Sequence, residues 1–122
     1  MESKYSSKIQ DEIEKLLTRL HKFNKFFSIN VEYFIDGWAI FLNEKNIYPR
    51  RIVIFKSYNN ELFSIKSFEI NLKNSQKEEN NELYSIINLD TIDKVMNELK
   101  EIIYGKDIMR YTSEKYFNKV LK

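Results

Sequence analysis

The stretch Phe27–Leu42, FSINVEYFIDGWAIFL, decides the fold. Phe27, Ile29, Val31, Tyr33 and Ile35 alternate with Ser28, Asn30, Glu32 and Phe34, the period-two signature of a half-buried strand. Asp36-Gly37 then supplies the dipeptide that best tolerates the positive φ angles of a type I′ hairpin turn. The spacing predicts that Ile35 and Trp38 face each other across that turn. Trp38 to Leu42 is almost continuously apolar, which predicts a central strand covered on both faces.

Outward from this hairpin, Asn43-Glu44-Lys45-Asn46 reads as a turn, and Pro49 limits pairing at the start of a third strand, Arg51–Lys56. Ser57-Tyr58-Asn59-Asn60 turns the chain again. In the fourth strand the apolar phase slips, with Phe63 and Ile65 at odd positions but Phe68, Ile70 and Leu72 at even ones. An extra residue near Lys66-Ser67 restores the inward face and predicts a bulge there. Lys73 to Asn81, KNSQKEENN, reads as a polar surface loop prone to disorder. A fifth strand, Leu83–Asn88, closes an antiparallel meander.

Helices flank the strands. Ser7 and Gln10 form a capping-box pattern, and Ile9, Ile13, Leu16, Leu17 and Leu20 share one helical face. Asp90 caps a second helix from Thr91 to about Tyr104, with the stripe Ile92, Val95, Met96, Leu99, Ile102 and Ile103 and a stop at Gly105. A last short helix after Thr112-Ser113 carries Tyr116, Phe117, Val120 and Leu121. The expectation is one α+β domain over residues 1–122. It has an N-terminal helix, about five antiparallel strands, and two C-terminal helices packed on the sheet.

Composition narrows function mainly by exclusion. There is no cysteine among the 122 residues, which removes disulfides, thiolate metal sites and cysteine nucleophiles. With two glycines, Gly37 and Gly105, no glycine-rich loop can cradle a phosphate. No GxSxG or SxxK pattern occurs. The one histidine, His21, has no partner at a metal-ligand spacing and reads as a helix-terminus residue. Glu32 with Asp36, and Glu61 with Glu69, are chance-level carboxylate pairs among 18 acidic residues. No catalytic, cofactor or metal residue is assigned.

The polar N-terminus lacks a signal-peptide core, and no run is long enough to span a bilayer, so a cytoplasmic chain with no membrane partner is expected. The Lys-, Ile- and Asn-rich usage is what AT-rich coding produces, and suggests a low-GC bacterium or its phage.

Two binding readings remain. Aromatics make up 15% of the chain, more than so small a core requires. Trp38, Tyr48, Arg50, Arg51 and Tyr58 combine the side-chain types that anchor protein interfaces. A non-enzymatic protein-binding module, of the inhibitor, immunity or phage anti-defence kind, is therefore the first expectation. A second copy of the chain counts among its candidate partners. The alternative is a nucleic-acid-binding module built on the basic segments 47–73 and 105–122. It would use Lys56, Lys66, Arg110, Lys115 and Lys119, with interleaved tyrosines to stack on bases.

Overall fold

The computed structural model describes residues 7–45, 50–73 and 76–105, with side chains outside 71–81. Helix α1 spans Ser7–Leu20 and relaxes through a 3-10 turn at His21–Phe23. Five strands follow, β1 Phe27–Tyr33, β2 Gly37–Glu44, β3 Arg50–Ser57, β4 Phe63–Lys73 and β5 Gln76–Leu89. Helix α2, Ile92–Ile103, ends the described chain. The strands pair antiparallel in the order β1-β2-β3-β4-β5, the meander expected from the sequence. Tyr48 and the second C-terminal helix expected after Thr112-Ser113 lie outside the described residues.

Both helices sit on the same face of the sheet. Ile13, Leu16 and Leu20 of α1 and Val95, Met96, Leu99 and Ile102 of α2 join one core with Trp38, Ile40, Leu42, Ile52, Ile54, Phe63 and Ile65. Arg19 reaches Asp93 across the two helices at 2.5 Å, but both side chains are well exposed, so this pair contributes little. Gln10 donates to the Tyr33 hydroxyl at 3.1 Å. The predicted return of Gln10 to the backbone at Ser7 is therefore replaced by a contact with the sheet.

The central hairpin closes differently from expectation. Tyr33 pairs with Trp38, and the Phe34 N–H donates to the Gly37 carbonyl, so Ile35 and Asp36 occupy the turn. Ile35 is 94% exposed and does not face Trp38. Gly37 is not in the left-handed region, where Gly105 is the one glycine (φ 106°). Gly37 is instead required by close approach. A Cβ there would press into the Lys56 carbonyl oxygen and come within 2.7 Å of the Phe55 ring.

The ladder β3–β4 is unbroken from Arg50↔Glu69 to Lys56↔Phe63. The phase slip of β4 is met on the other side, where β4 and β5 shift register at Phe63/Ile65, Ser67/Phe68 and Phe68/Ile70. The extra residues lie in β5, one between Ile86 and Leu89 where Asn88 has a φ of 65°, one between Glu82 and Tyr84 and one between Glu79 and Glu82, so the irregularity belongs to the neighbouring strand. Phe68 consequently stays off the helix-covered face, while Ile70 is buried. Of the polar stretch 73–81, Lys73 and residues 76–81 are strand rather than loop. β4 runs to Lys73 and β5 begins at Gln76, because a backbone ladder needs no apolar side chains to form.

Helix α2 is capped one residue later than expected. The Thr91 hydroxyl accepts from the Lys94 N–H at 3.1 Å. Asp90 instead pairs with the Lys94 ammonium at 3.0 Å, and this hydrogen bond and charge hold its carboxyl below the usual range. Asp90 therefore favours the folded state at neutral pH, and its contribution fades as pH falls through that lowered value.

Leu99→Ala should lower stability by about 2–5 kcal/mol in chemical denaturation if α2 packs its stripe on the sheet. A cost below about 0.5 kcal/mol, ordinary for a surface change, rules that packing out. Gly37→Ala should cost about 1–3 kcal/mol through overpacking against β3, with no left-handed strain involved. A neutral Gly37→Ala would remove the close-approach account.

Candidate protein-binding face

The residues singled out as binding anchors divide by the face they occupy. On the helix-covered face, Trp38 is 1% exposed and meets Phe63 edge-on, with centroids 6.2 Å apart. Lys56 is 8% exposed; its ammonium lies 2.8 Å from both Glu12 carboxylate oxygens and 4.7 Å from the Phe63 centroid. Trp38, Phe63, Lys56 and Glu12 thus form the joint that seats α1 on β2–β4. Tyr58 is half-buried against the same core. Trp38 is scaffold, and Lys56 is not available to a phosphate.

Arg50 is the second joint. It is 4% exposed, and its terminal nitrogens donate to the Ile102 and Ile103 carbonyls, each at 2.7 Å. Its Nε donates to Glu44 at 3.2 Å, and the guanidinium lies 5.8 Å from the Phe27 ring centroid. The last carbonyls of a helix have no intrahelical donors and carry the negative end of its dipole. Arg50 satisfies them from the sheet and ties α2 to β2 and β3. As a partner anchor it is therefore corrected to an internal clamp.

The opposite face of the sheet carries no helix among the described residues, so of the two covered faces expected for β2 and β3 the described residues supply the cover of one. Cross-strand register gives two rows there, Glu32–Ala39–Phe55–Ser64 and Asn30–Phe41–Val53–Lys66. Phe68 stands beside them, and Phe34, Ile35 and Asp36 at the hairpin end complete a shallow concavity of about 640 Å³. Phe34 packs edge-on against Phe41 at 6.4 Å. Arg51 donates to Asn43 at 2.8 Å and lies 5.4 Å from the Phe41 centroid. Lys66, half-exposed, is 3.7 Å from Glu82.

The sequence did contain the signal for this face. Phe41, Val53 and Phe55 are the second apolar set of strands that are apolar in both phases, while the amphipathic helices were assigned to one side. Arg110, Lys115 and Lys119 lie outside the described residues. His21 is exposed, with its Nδ1 3.3 Å from the Asn24 amide nitrogen, and among the described residues no group of three potential metal ligands occurs. No helix among them is long and apolar enough to cross a membrane.

Arg50→Met should destabilise the fold by about 3–5 kcal/mol, since removing one partner of a buried charge pair leaves the other charge behind. Adding Glu44→Gln should recover part of that loss in a double-mutant cycle, and strict additivity would exclude the coupling. Comparison with protein-family models, with curated proteins and with solved structures finds no match, so the functional reading is argued from this surface itself.

Proposed function

We propose that this chain is a non-enzymatic protein-binding module that presents the phenylalanine-rich face of its sheet, opposite α1 and α2, to another protein. The observation that carries the reading is the cluster Phe41, Val53, Phe55 and Phe68, gathered from three adjacent strands on the face that has no helix among the described residues. Contiguous apolar surface of this kind is costly to leave in water and marks interaction sites. Phe41 and Arg51 stack together there and supply the rigid aromatic and arginine character of interface anchors. Glu32 and Asp36 toward β1, against Arg51 and Lys66 toward β3 and β4, give the rim a charge direction that orients a partner. By its size and composition the chain falls with inhibitors, immunity antidotes and phage anti-defence factors that act by direct contact, and we place it in the cytoplasm.

One observation favours a second reading. Phe41 and Phe68 on an open sheet, flanked by Arg51 and Lys66, have the physics of a single-stranded nucleic-acid platform. Against it, Arg50 and Lys56 are engaged inside the fold, and among the described residues the two bases on this face, Arg51 and Lys66, are opposed by Glu32, Asp36 and Glu82.

The test is affinity capture from an extract of the source organism with the wild-type chain, Phe41→Glu and Lys66→Glu. Thermal melting should first show all three folded. A protein retained in stoichiometric amount by the wild type and by Lys66→Glu, and lost at least about tenfold by Phe41→Glu, supports the face. Equal retention by Phe41→Glu overturns it. Retained nucleic acid that dissociates steeply between about 50 and 200 mM salt, and is lost with Lys66→Glu, replaces it with the second reading.

A further inference from the structure

The two edges of the sheet are unlike. β5 carries three register shifts and a left-handed Asn88, irregularities that discourage a further strand from pairing. β1 has no such device. Its ladder to β2 is continuous from Phe27↔Glu44 to Tyr33↔Trp38, and it contains no proline, no lysine and one charge, Glu32.

The direction of its backbone groups follows from the bonds at its two ends. Phe34 N–H donates to Gly37, and Lys45 N–H donates to the Phe26 carbonyl. Those two pairs are therefore of the hydrogen-bonded type, and alternation makes Ser28, Asn30 and Glu32 the residues that bond to β2. The N–H and C=O of Ile29 and Val31 point away from β2, along an edge that no other described strand pairs with.

We propose that β1 pairs with β1 of a second copy of this chain, antiparallel and centred on Asn30, to form one sheet continuous through both copies. In that register Ile29 lies opposite Val31 of the second copy, and the outward groups of both exchange hydrogen bonds. On the helix side the apolar pairs are Ile29 with Val31 and Phe27 with Tyr33. On the other side Asn30 meets its own symmetry mate, where two amides can each donate and accept. Glu32 meets Ser28 rather than another carboxylate, so no like charges oppose.

The same register accounts for two exposed aromatics outside the strand. Phe26 is 58% and Phe34 37% exposed, and they stand equally far from Asn30 on either side. Pairing about Asn30 sets Phe26 of each copy opposite Phe34 of the other and removes four phenylalanine side chains from water. A one-residue slip breaks all of these matches and turns apolar side chains to the polar face. The pairing goes beyond the proposed protein-binding face and does not depend on it.

The experiment is the mass of the full chain in solution, by sedimentation equilibrium over a range of concentrations. The wild type should pass from 14.8 kDa to twice that mass as concentration rises. Asn30→Lys places two ammonium groups against each other on the axis and should weaken the dimer at least about tenfold, with the melting of the monomer preserved. Ser28→Lys places a lysine against Glu32 of the second copy and should leave the dimer as tight or tighter. In hydrogen exchange the Ile29 and Val31 amides should be protected in the wild type and released in Asn30→Lys. A wild type that stays monomeric at all concentrations overturns the pairing, as does a dimer indifferent to Asn30→Lys. A Ser28→Lys chain that loses the dimer overturns this register.

Discussion

Two helices lying side by side, each about 10 Å across, match the width of five strands spaced about 4.8 Å apart. They cover one face of such a sheet and leave nothing for the other. That constraint organises the described chain. α1 and α2 place every buried residue of their stripes on the side of Trp38, Ile40, Ile52, Ile54 and Ile65. The strands that carry those residues are apolar in the other phase as well, so the fold completes its core and still displays Phe41, Val53, Phe55 and Phe68. The surface proposed for binding results from apolar residues in excess of what the helices can bury.

Two cations hold the helices at their places. Lys56 fixes α1 through Glu12, and Arg50 fixes the end of α2 through the Ile102 and Ile103 carbonyls. Neither bond is a large source of net stability, because desolvating an ion offsets much of what its partners return. Their contribution is positional. Arg50, with its planar fork, meets two carbonyls and a carboxylate at once, which a lysine's single ammonium could not do in that geometry. A strand residue that caps a helix also fixes how that helix lies across the sheet.

The order of elements, the meander and both amphipathic stripes were legible in the sequence, since period and spacing are local properties of the chain. The functions of Arg50, Lys56 and Trp38 were not. All three resemble surface anchors by residue type, and what buries them lies more than forty positions away for Arg50 and Lys56, in α2 and α1. Gln10 shows the same effect on a small scale, since its local match to a capping box gives way to a tyrosine brought up by the sheet. Residues 76–81 mislead for the opposite reason: their polarity is real, but a ribbon held by backbone bonds can form without burying side chains.

Gly37 joins these points. Read locally, Asp36-Gly37 sets the turn; in the fold, the turn is made by Ile35 and Asp36, and Gly37 already belongs to β2. Its missing side chain lets β2 approach β3 so closely that the Lys56 carbonyl and the Phe55 ring fill the space a Cβ would take. That approach holds the hairpin end against β3, where Asp36 also accepts from the Tyr58 N–H at 3.0 Å. With its C-terminal end fixed in this way, β1 keeps a regular register to Tyr33, and Phe34 is carried over Phe41. An unbulged edge with an aromatic at each end is held at one position where no side chain fits.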